Sequence, residues 1–280
     1  MKFKAWGARR VIENNYKTAL RKLGRFLTAL ISPDDTPEDI ASKMDELTAS
    51  DAMATWAGAL AKKFVTHVLD ENSRTWRQAA SKEGHGKQIY NELQHELQGP
   101  VGTRVNELID ENAQYIKSLP ADVALQMTKH MESEAYKGSR QAYTYPEFQA
   151  MVGDMSMKHA KMIARTETAK AMSALTQARA EQCGHDWYIW HTTENERVRE
   201  SHQLMNHVLC RFSDPPAPEK LAGKKSAGHY NPGNIYNCRC YAAPVILWDE
   251  VEWPHKVCFC NTIKKLSKMQ FIRYFGTGGE

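Results

Sequence analysis

The first 150 residues carry apolar side chains at three- and four-residue intervals, the spacing of amphipathic helices. We predict a helix over 4–31, a second over about 37–47 and a long third over about 51–80. Thr36 and Pro37 suit the start of the second helix, because a hydroxyl cap and a proline in the first helical position both favour a helix N-terminus.

Three further helical patterns follow before residue 150. They cover 87–98, about 101–118, and a segment from Pro120 to Tyr136 that Gly138 caps. Pro120 is placed in the first turn of the last of these helices, where a proline costs no hydrogen bond. None of this sequence alternates with the two-residue period of a strand, which argues against a nucleotide-binding βαβ unit.

The pattern changes after residue 153. A strong helix is predicted over about 155–182, and a strand over 187–192, where apolar and polar residues alternate. A short helix bearing His202 and a long loop over 213–234, rich in proline and glycine, come next. We therefore expect a mainly α protein with a small α+β C-terminal module: a helical N-terminal region, then short strands around a Cys/His cluster.

These changes along the chain predict four segments. They are a basic amphipathic helix (1–32), a helical domain (33–153), the α+β module (154–248) and a C-terminal tail (249–280).

The composition is typical of a soluble protein, with 42% hydrophobic and 25% charged residues among 280. No apolar run approaches the ~20 residues of a membrane helix. The apolar stretch 27–31 is too short and too late for a signal peptide. We therefore expect folding in a cytosol, where six sparse cysteines indicate metal binding or idle thiols rather than disulfides.

The net charge of +4 is unevenly distributed. Residues 1–30 contain one acid, Glu13, and this set of basic residues: Lys2, Lys4, Arg9, Arg10, Lys17, Arg21, Lys22 and Arg25. We predict that this segment contacts DNA or an acidic partner. A solvated helix face is the alternative, and the same two interpretations apply to the basic last twenty residues.

His202, Cys238 and Cys240 form the strongest chemical pattern. A short helix carries Val198, His202 and Met205 on its inward face. Thiolate and imidazole are the ligands that zinc prefers. On an extended strand Cys238 and Cys240 would point to opposite faces. They can share a metal only in a turn, which Asn237 favours, so the pattern predicts a structural zinc.

The fourth ligand has several candidates. Cys210 is the nearest in sequence, and His207 and His229 are weaker alternatives. A competing set combines Cys238 and Cys240 with the second Cys-x-Cys pair, Cys258 and Cys260, with His255 nearby. The alternative without a metal is a group of idle thiols.

Four charged residues are predicted to form a structural network of ion pairs: Arg165, Glu167, Arg197 and Arg199.

The sequence patterns that would indicate a catalytic site are weak. Ser201 and His202 are helix neighbours that do not face each other, and Leu204 stands where a zinc deaminase needs glutamate. The run 222–226 lacks the first glycine of a phosphate loop.

Several of these motifs, in their order along the chain, resemble the phage Mu F-like head morphogenesis family, the minor capsid proteins of tailed bacteriophages. The resemblance covers about residues 86–246. The motifs that carry it are Ile163-Ala164-Arg165-Thr166-Glu167-Thr168, Trp190-x-Thr192, Glu196-Arg197-Val198-Arg199-x-Ser201-His202, Asn237-Cys238-Arg239-Cys240 and Pro244-Val245. Many members carry Cys-x-x-Cys where this chain has Arg199-x-x-His202, which implies that His202 shares a cluster with Cys238 and Cys240.

The resemblance implies a non-enzymatic protein of the virion, inside the capsid near the portal vertex and made in the host cytoplasm. It would help procapsid assembly and act in genome retention or ejection. The implied partners are the portal protein, a scaffold or major capsid protein, and packaged double-stranded DNA. Two alternatives remain: a metal-dependent enzyme acting on nucleic acid, with Glu194 or Glu200 as base, and an ejected effector.

Overall fold

The computed structural model describes residues 6–82, 86–137 and 145–276. Most of them are helical, as the sequence pattern predicts. The helices are α1 (Arg10–Ala29), α2 (Pro37–Ala49), α3 (Asp51–Lys82), α4 (Gly86–Glu92), α5 (Pro100–Lys137), α6 (Tyr145–Gln182), α7 (Glu200–Leu204), α8 (Pro218–Leu221) and α9 (Lys268–Phe275). None of the helices in these ranges is long and apolar enough to cross a membrane.

The start of α2 follows the predicted cap. The Thr36 side chain accepts a hydrogen bond from the Asp39 backbone N–H at 3.2 Å, and the Asp39 carboxylate accepts one from the Thr36 N–H at 2.9 Å. This reciprocal pair satisfies two N–H groups that the helix leaves unpaired. Pro37 occupies the first helical position.

Helix α5 departs from the predicted break at Pro120. The helix continues through the proline to Lys137. Buried apolar residues lie on both sides of Pro120: Ile116 and Leu119 before it, and Val123 and Met127 after it. Burial of this continuous apolar stripe offsets the hydrogen bond that the proline ring removes.

Five short strands form one sheet near the C-terminus. They are β1 (Trp187–His191), β2 (Leu209–Arg211), β3 (Tyr241–Pro244), β4 (His255–Phe259) and β5 (Thr262–Leu266). Their order is β3-β1-β2-β4-β5. The pair β2–β4 is parallel, and the other three neighbouring pairs are antiparallel.

The chain packs as two compact units. The helical unit contains 10–66, 107–137 and 145–167, and the sheet unit contains the other described residues, 6–9, 67–82, 86–106 and 168–276. The four segments predicted from the sequence divide the chain differently, since they follow composition and resemblance rather than packing. Residues 249–280, predicted as a tail, include β4, β5 and α9.

The helical unit has a polar contact inside its core. The rings of Tyr16 and Phe64 stack with centroids 4.0 Å apart. The buried Tyr16 hydroxyl donates to the Asn112 side chain at 3.1 Å, so the polar end of the ring is satisfied where water is excluded.

The sheet unit has an apolar cluster on each face of its sheet. Tyr188 and Trp190 of β1 pack into one cluster with Trp76 of α3. Trp187, next to Tyr188 but pointing to the other face, packs with Phe271 of α9. Alternation along β1 therefore buries both faces. The prediction of a mainly α protein with a small α+β C-terminal module is confirmed.

Candidate metal centre

His202, Cys238 and Cys240 come together in the sheet unit. One ligand atom from each lies within 4.8 Å of the other two. The His202 Nδ1 atom is 3.5 Å from the Cys238 Sγ and 3.4 Å from the Cys240 Sγ. The three side chains are buried, with exposed fractions of 2%, 3% and 6%.

A turn places both sulfur atoms on the same side of the chain. Asn237 adopts a left-handed conformation with φ of 56°, which asparagine tolerates better than most residues. The Cys238 backbone N–H donates to the Ile235 carbonyl at 3.1 Å. The Cys240 N–H then points back to the Cys238 sulfur at 3.4 Å. The turn predicted at Asn237 thus explains how a Cys-x-Cys pair can share one ion.

The other ring nitrogen of His202 faces a series of hydrogen-bonded side chains. Its Nε2 lies 2.9 Å from the Tyr230 hydroxyl, and that hydroxyl donates to the Glu219 carboxylate at 2.7 Å. The Ser201 hydroxyl also donates to Glu219, at 3.2 Å. Because Tyr230 gives its proton to Glu219, its oxygen accepts a proton from Nε2, which leaves Nδ1 unprotonated toward the two cysteines.

The ionisation of these groups follows from their contacts. A hydrogen bond from the Cys240 thiol lowers the pKa of Cys238 well below its ordinary value, although burial opposes its ionisation. The pKa of Cys240 is raised for the same reason, because its proton is shared with Cys238. Burial opposes ionisation of Glu219, yet hydrogen bonds from Tyr230 and Ser201 hold its pKa below the ordinary value.

The donor set fits a zinc ion. Zinc–sulfur and zinc–nitrogen bonds of ordinary length at a tetrahedral angle separate the two donor atoms by about 3.6 Å. The observed distances from His202 Nδ1 to the two sulfurs, 3.5 and 3.4 Å, are close to that spacing. A ligating histidine commonly donates its second N–H to an outer polar group, as His202 can donate to Tyr230.

The predicted fourth ligand, Cys210, lies outside this group of three. It is a buried residue of β2 and forms a hydrogen bond with the Cys258 thiol of β4. Burial, followed by that hydrogen bond, raises the pKa of Cys210. Cys260 is exposed beyond the end of β4.

The three histidines considered as alternative ligands have other neighbours. His207 Nε2 lies 3.4 Å from the Glu194 carboxylate. A ring nitrogen of His229 lies 2.8 Å from the Pro215 carbonyl, and one of His255 lies 3.1 Å from the Glu252 carbonyl.

The predicted charge network is spread over both units. In the helical unit, Arg165 lies 3.8 Å from Glu13, and Glu167 is buried. In the sheet unit, the Arg199 guanidinium lies over the ring of Tyr236 at 4.7 Å and donates to its carbonyl at 3.0 Å.

The basic residues of the N-terminus occupy one face of α1. Arg10, Lys22 and Arg25 are exposed, and Lys17 and Arg21 are half-buried. Arg9 lies just before the helix and pairs with Glu71 at 2.5 Å. Lys2 and Lys4 lie outside the described residues. The described part of the predicted binding segment is thus a helix with a basic outer face.

Sequence reasoning missed Glu219 and Tyr230. Both belong to the segment 213–234, which the glycines and prolines mark as a loop without any periodicity that would single out an inward side chain. The loop folds back because Pro218 begins the short helix α8, and because the Tyr230 N–H donates to the Pro216 carbonyl at 3.0 Å.

Residues 121–243 match the family described as Phage Mu protein F like protein, which confirms the resemblance for that part of the chain. An uncharacterized protein of Haemophilus influenzae (strain ATCC 51907 / DSM 11121 / KW20 / Rd) is 32% identical over 143 residues. The aligned region covers 51% of this chain and 30% of the relative's length. No solved structure matches the chain.

Proposed function

Since residues 121–243 match the Phage Mu protein F like family, we propose that the protein is a minor capsid protein that aids head morphogenesis in a tailed phage. One observation carries this proposal. The matched segment includes His202, Cys238 and Cys240 together with Glu219 and Tyr230. The family resemblance and the one cluster of metal-ligand type among the described residues therefore coincide in the same part of the chain.

The cluster is proposed to hold a structural zinc through the His202 Nδ1 and the two thiolates. The zinc would join α7 to the turn before β3. The neighbouring carboxylate, Glu219, lies 3.7 Å from Nε2, on the opposite side of the imidazole from the sulfurs. Glu200, considered above as a catalytic base, instead pairs with Lys224 at 2.7 Å. These placements favour a role for Glu219 in orienting the histidine. They do not favour the alternative role of a base that acts on a bound water.

The protein is proposed to reside in the virion, inside the capsid near the portal vertex, after synthesis in the host cytoplasm. Its partners there would be the portal protein and a scaffold or major capsid protein. The basic outer face of α1 would contact packaged double-stranded DNA through phosphate groups, for which exposed arginine and lysine are suited.

Particle assembly tests the main proposal. Phage lacking the protein should form fewer DNA-filled heads, and gold-labelled protein should be found at one vertex of intact particles. Labelled protein distributed over all vertices would contradict the proposal. So would protein that is absent from the particles, combined with a normal particle yield when the protein is missing.

The metal content of purified protein tests the zinc proposal. One zinc per chain is expected by mass spectrometry, and His202→Ala or Cys238→Ser should lose it. Cys260→Ser removes an exposed thiol outside the cluster and should keep the zinc. Zinc-free protein whose folding is unaffected by a chelator would overturn this part.

A further inference from the structure

Residues 253–276 contain five basic residues and no acidic residue. The basic side chains are those of Lys256 on β4, Lys264 and Lys265 on β5, and Lys268 and Arg273 on α9; all five are exposed. The hairpin and the helix that follows it therefore carry several exposed positive charges in the sheet unit, on elements separate from α1.

Strand register brings two of these lysines together. Lys256 and Lys265 are direct partners in the antiparallel pair β4–β5, so both side chains project from the same face of the sheet. Like charges directly opposite each other on a sheet repel. A bound anion would relieve that repulsion, which makes this position suitable for a phosphate.

Lys264 projects from the other face of β5. Its partner across the strands is Val257, and its ammonium group lies 5.5 Å from the centre of the Phe259 ring. Cations therefore lie on both faces of β5, the last strand of the sheet. Lysines on an edge strand also discourage pairing with other chains, but that role does not explain Lys256, which belongs to the inner strand β4.

Helix α9 extends the positive surface. Phe271 is buried and fixes the helix against the sheet, while Lys268 and Arg273 face outward. Lys268 lies 3.4 Å from Asp249, an exposed pair of the kind that contributes little. Tyr274 is 60% exposed on the same helix and offers a polar aromatic contact beside the cations.

We infer that β4, β5 and α9 form a second surface for double-stranded DNA, which binds the phosphate backbone without reading sequence. A duplex carries phosphates along both walls of each groove, so it can meet cations on both faces of an edge strand. A flat anionic membrane would meet only one of those faces. This inference depends on the surface of the sheet unit alone and not on the proposed role of α1.

The test measures binding of the full chain to a fluorescent 30-base-pair duplex of random sequence over a range of salt concentrations. The variant Lys256→Gln, Lys264→Gln, Lys265→Gln should bind about tenfold or more weakly at 0.1 M salt. The slope of log affinity against log salt should fall by roughly 2–3, since each lost phosphate contact removes about 0.9.

A matched control makes the same charge change elsewhere. Lys62, Lys63 and Lys161 are exposed residues of the helical unit, and replacing all three with glutamine should leave the slope within one unit of the original. An α1 variant, Arg10→Gln, Lys22→Gln, Arg25→Gln, tests the other DNA proposal separately.

Three results would overturn the inference. The first is that the hairpin variant (Lys256, Lys264 and Lys265 replaced) and the control variant (Lys62, Lys63 and Lys161 replaced) weaken binding equally. That result would mean that binding depends on net charge alone. The second is that the α1 variant abolishes binding while the hairpin variant binds normally. The third is that the wild-type chain binds vesicles of anionic phospholipid more tightly than it binds the duplex.

Discussion

At the scale of single residues, the hydroxyl of Tyr230 connects His202 to Glu219. Tyr230→Phe keeps the ring but removes the group that accepts the proton from Nε2. Loss of such an outer contact typically weakens metal affinity by about 10–100-fold, and we expect a reduction of that size in zinc affinity, measured by competition with a chromophoric chelator. Tyr274→Phe changes an exposed tyrosine and should have no effect; equal affinity in the two variants would refute this role.

Asp186 offers a pH-dependent contact away from the cluster of His202, Cys238 and Cys240. Its carboxylate accepts hydrogen bonds from Arg211 at 2.7 Å and from the Ser213 hydroxyl at 2.6 Å. Burial opposes its ionisation, but these donors hold its pKa below the ordinary 3.8. The ionised form is thus favoured by folding, and its stabilisation is complete above the unfolded-state pKa.

Asp186→Asn should therefore lower the free energy of unfolding by about 1 kcal/mol at pH 7. The difference from wild type should stay constant down to about pH 5 and diminish as the pH falls through the folded-state pKa. Urea titrations between pH 3 and pH 7 measure it. A difference that grows toward acid pH would contradict the assignment.

The cluster of His202, Cys238 and Cys240 shows what residue-level sequence reasoning can reach. The ligand pattern of His202, Cys238 and Cys240 follows from the chemistry of the residue types and from the turn that Asn237 permits. Glu219 and Tyr230 could not be found in this way, because their positions depend on how a loop of irregular sequence folds back on α7. Irregular backbone has no period from which an inward face can be inferred.

At the scale of elements, the segment 213–234 is fixed to α6 at Gly233. This residue has φ of 96°, and a Cβ added there would lie 2.9 Å from the Ala169 carbonyl oxygen. Nearby, the Asn231 side chain accepts from the Tyr188 hydroxyl and donates to Gln177, each at 2.9 Å. The close approach of the backbone to α6 therefore requires glycine.

Gly233→Ala should destabilise the protein by about 2–4 kcal/mol, since it adds a steric clash to the strain of a positive φ. Gly228 is the matched control. It also has a positive φ, 101°, but an added Cβ would meet nothing within 4 Å, so Gly228→Ala should cost about 1 kcal/mol. Urea denaturation compares them, and equal losses would show that the contact with α6 contributes nothing.

The helices show which elements the sequence can predict. The start of α2 follows from Thr36 and Asp39, whose capping bonds are local. Continuation of α5 through Pro120 was not predictable from local rules, because it depends on the burial of Ile116 and Val123 in the folded protein. Strand β4 was missed for a related reason, because it is partnered by β2, more than 40 residues earlier. Strand β5 pairs only with β4, so it depends on the same distant contact.

At the scale of the whole molecule, the proposed zinc would connect parts of the sheet unit that are distant in sequence. His202 belongs to α7, the two cysteines precede β3, and Tyr230 and Glu219 attach the segment 213–234 to the same histidine. An ion at this position would therefore stabilise several segments together. Removal of the ion should destabilise these segments most, while α1 and α2 of the helical unit provide an internal comparison.

Chelation of the purified protein should lower its free energy of unfolding by several kcal/mol, because the binding energy of a structural metal contributes directly to folding. Hydrogen exchange should accelerate in α7 and in the segment 213–234 and change little in α1 and α2, and added zinc should restore protection. The variant Cys238→Ser should resemble the chelated protein before any chelator is added, and Cys260→Ser should behave as wild type. Uniform acceleration throughout the chain would indicate global unfolding instead, and unchanged exchange in α7 would show that the cluster holds its segments together without a metal.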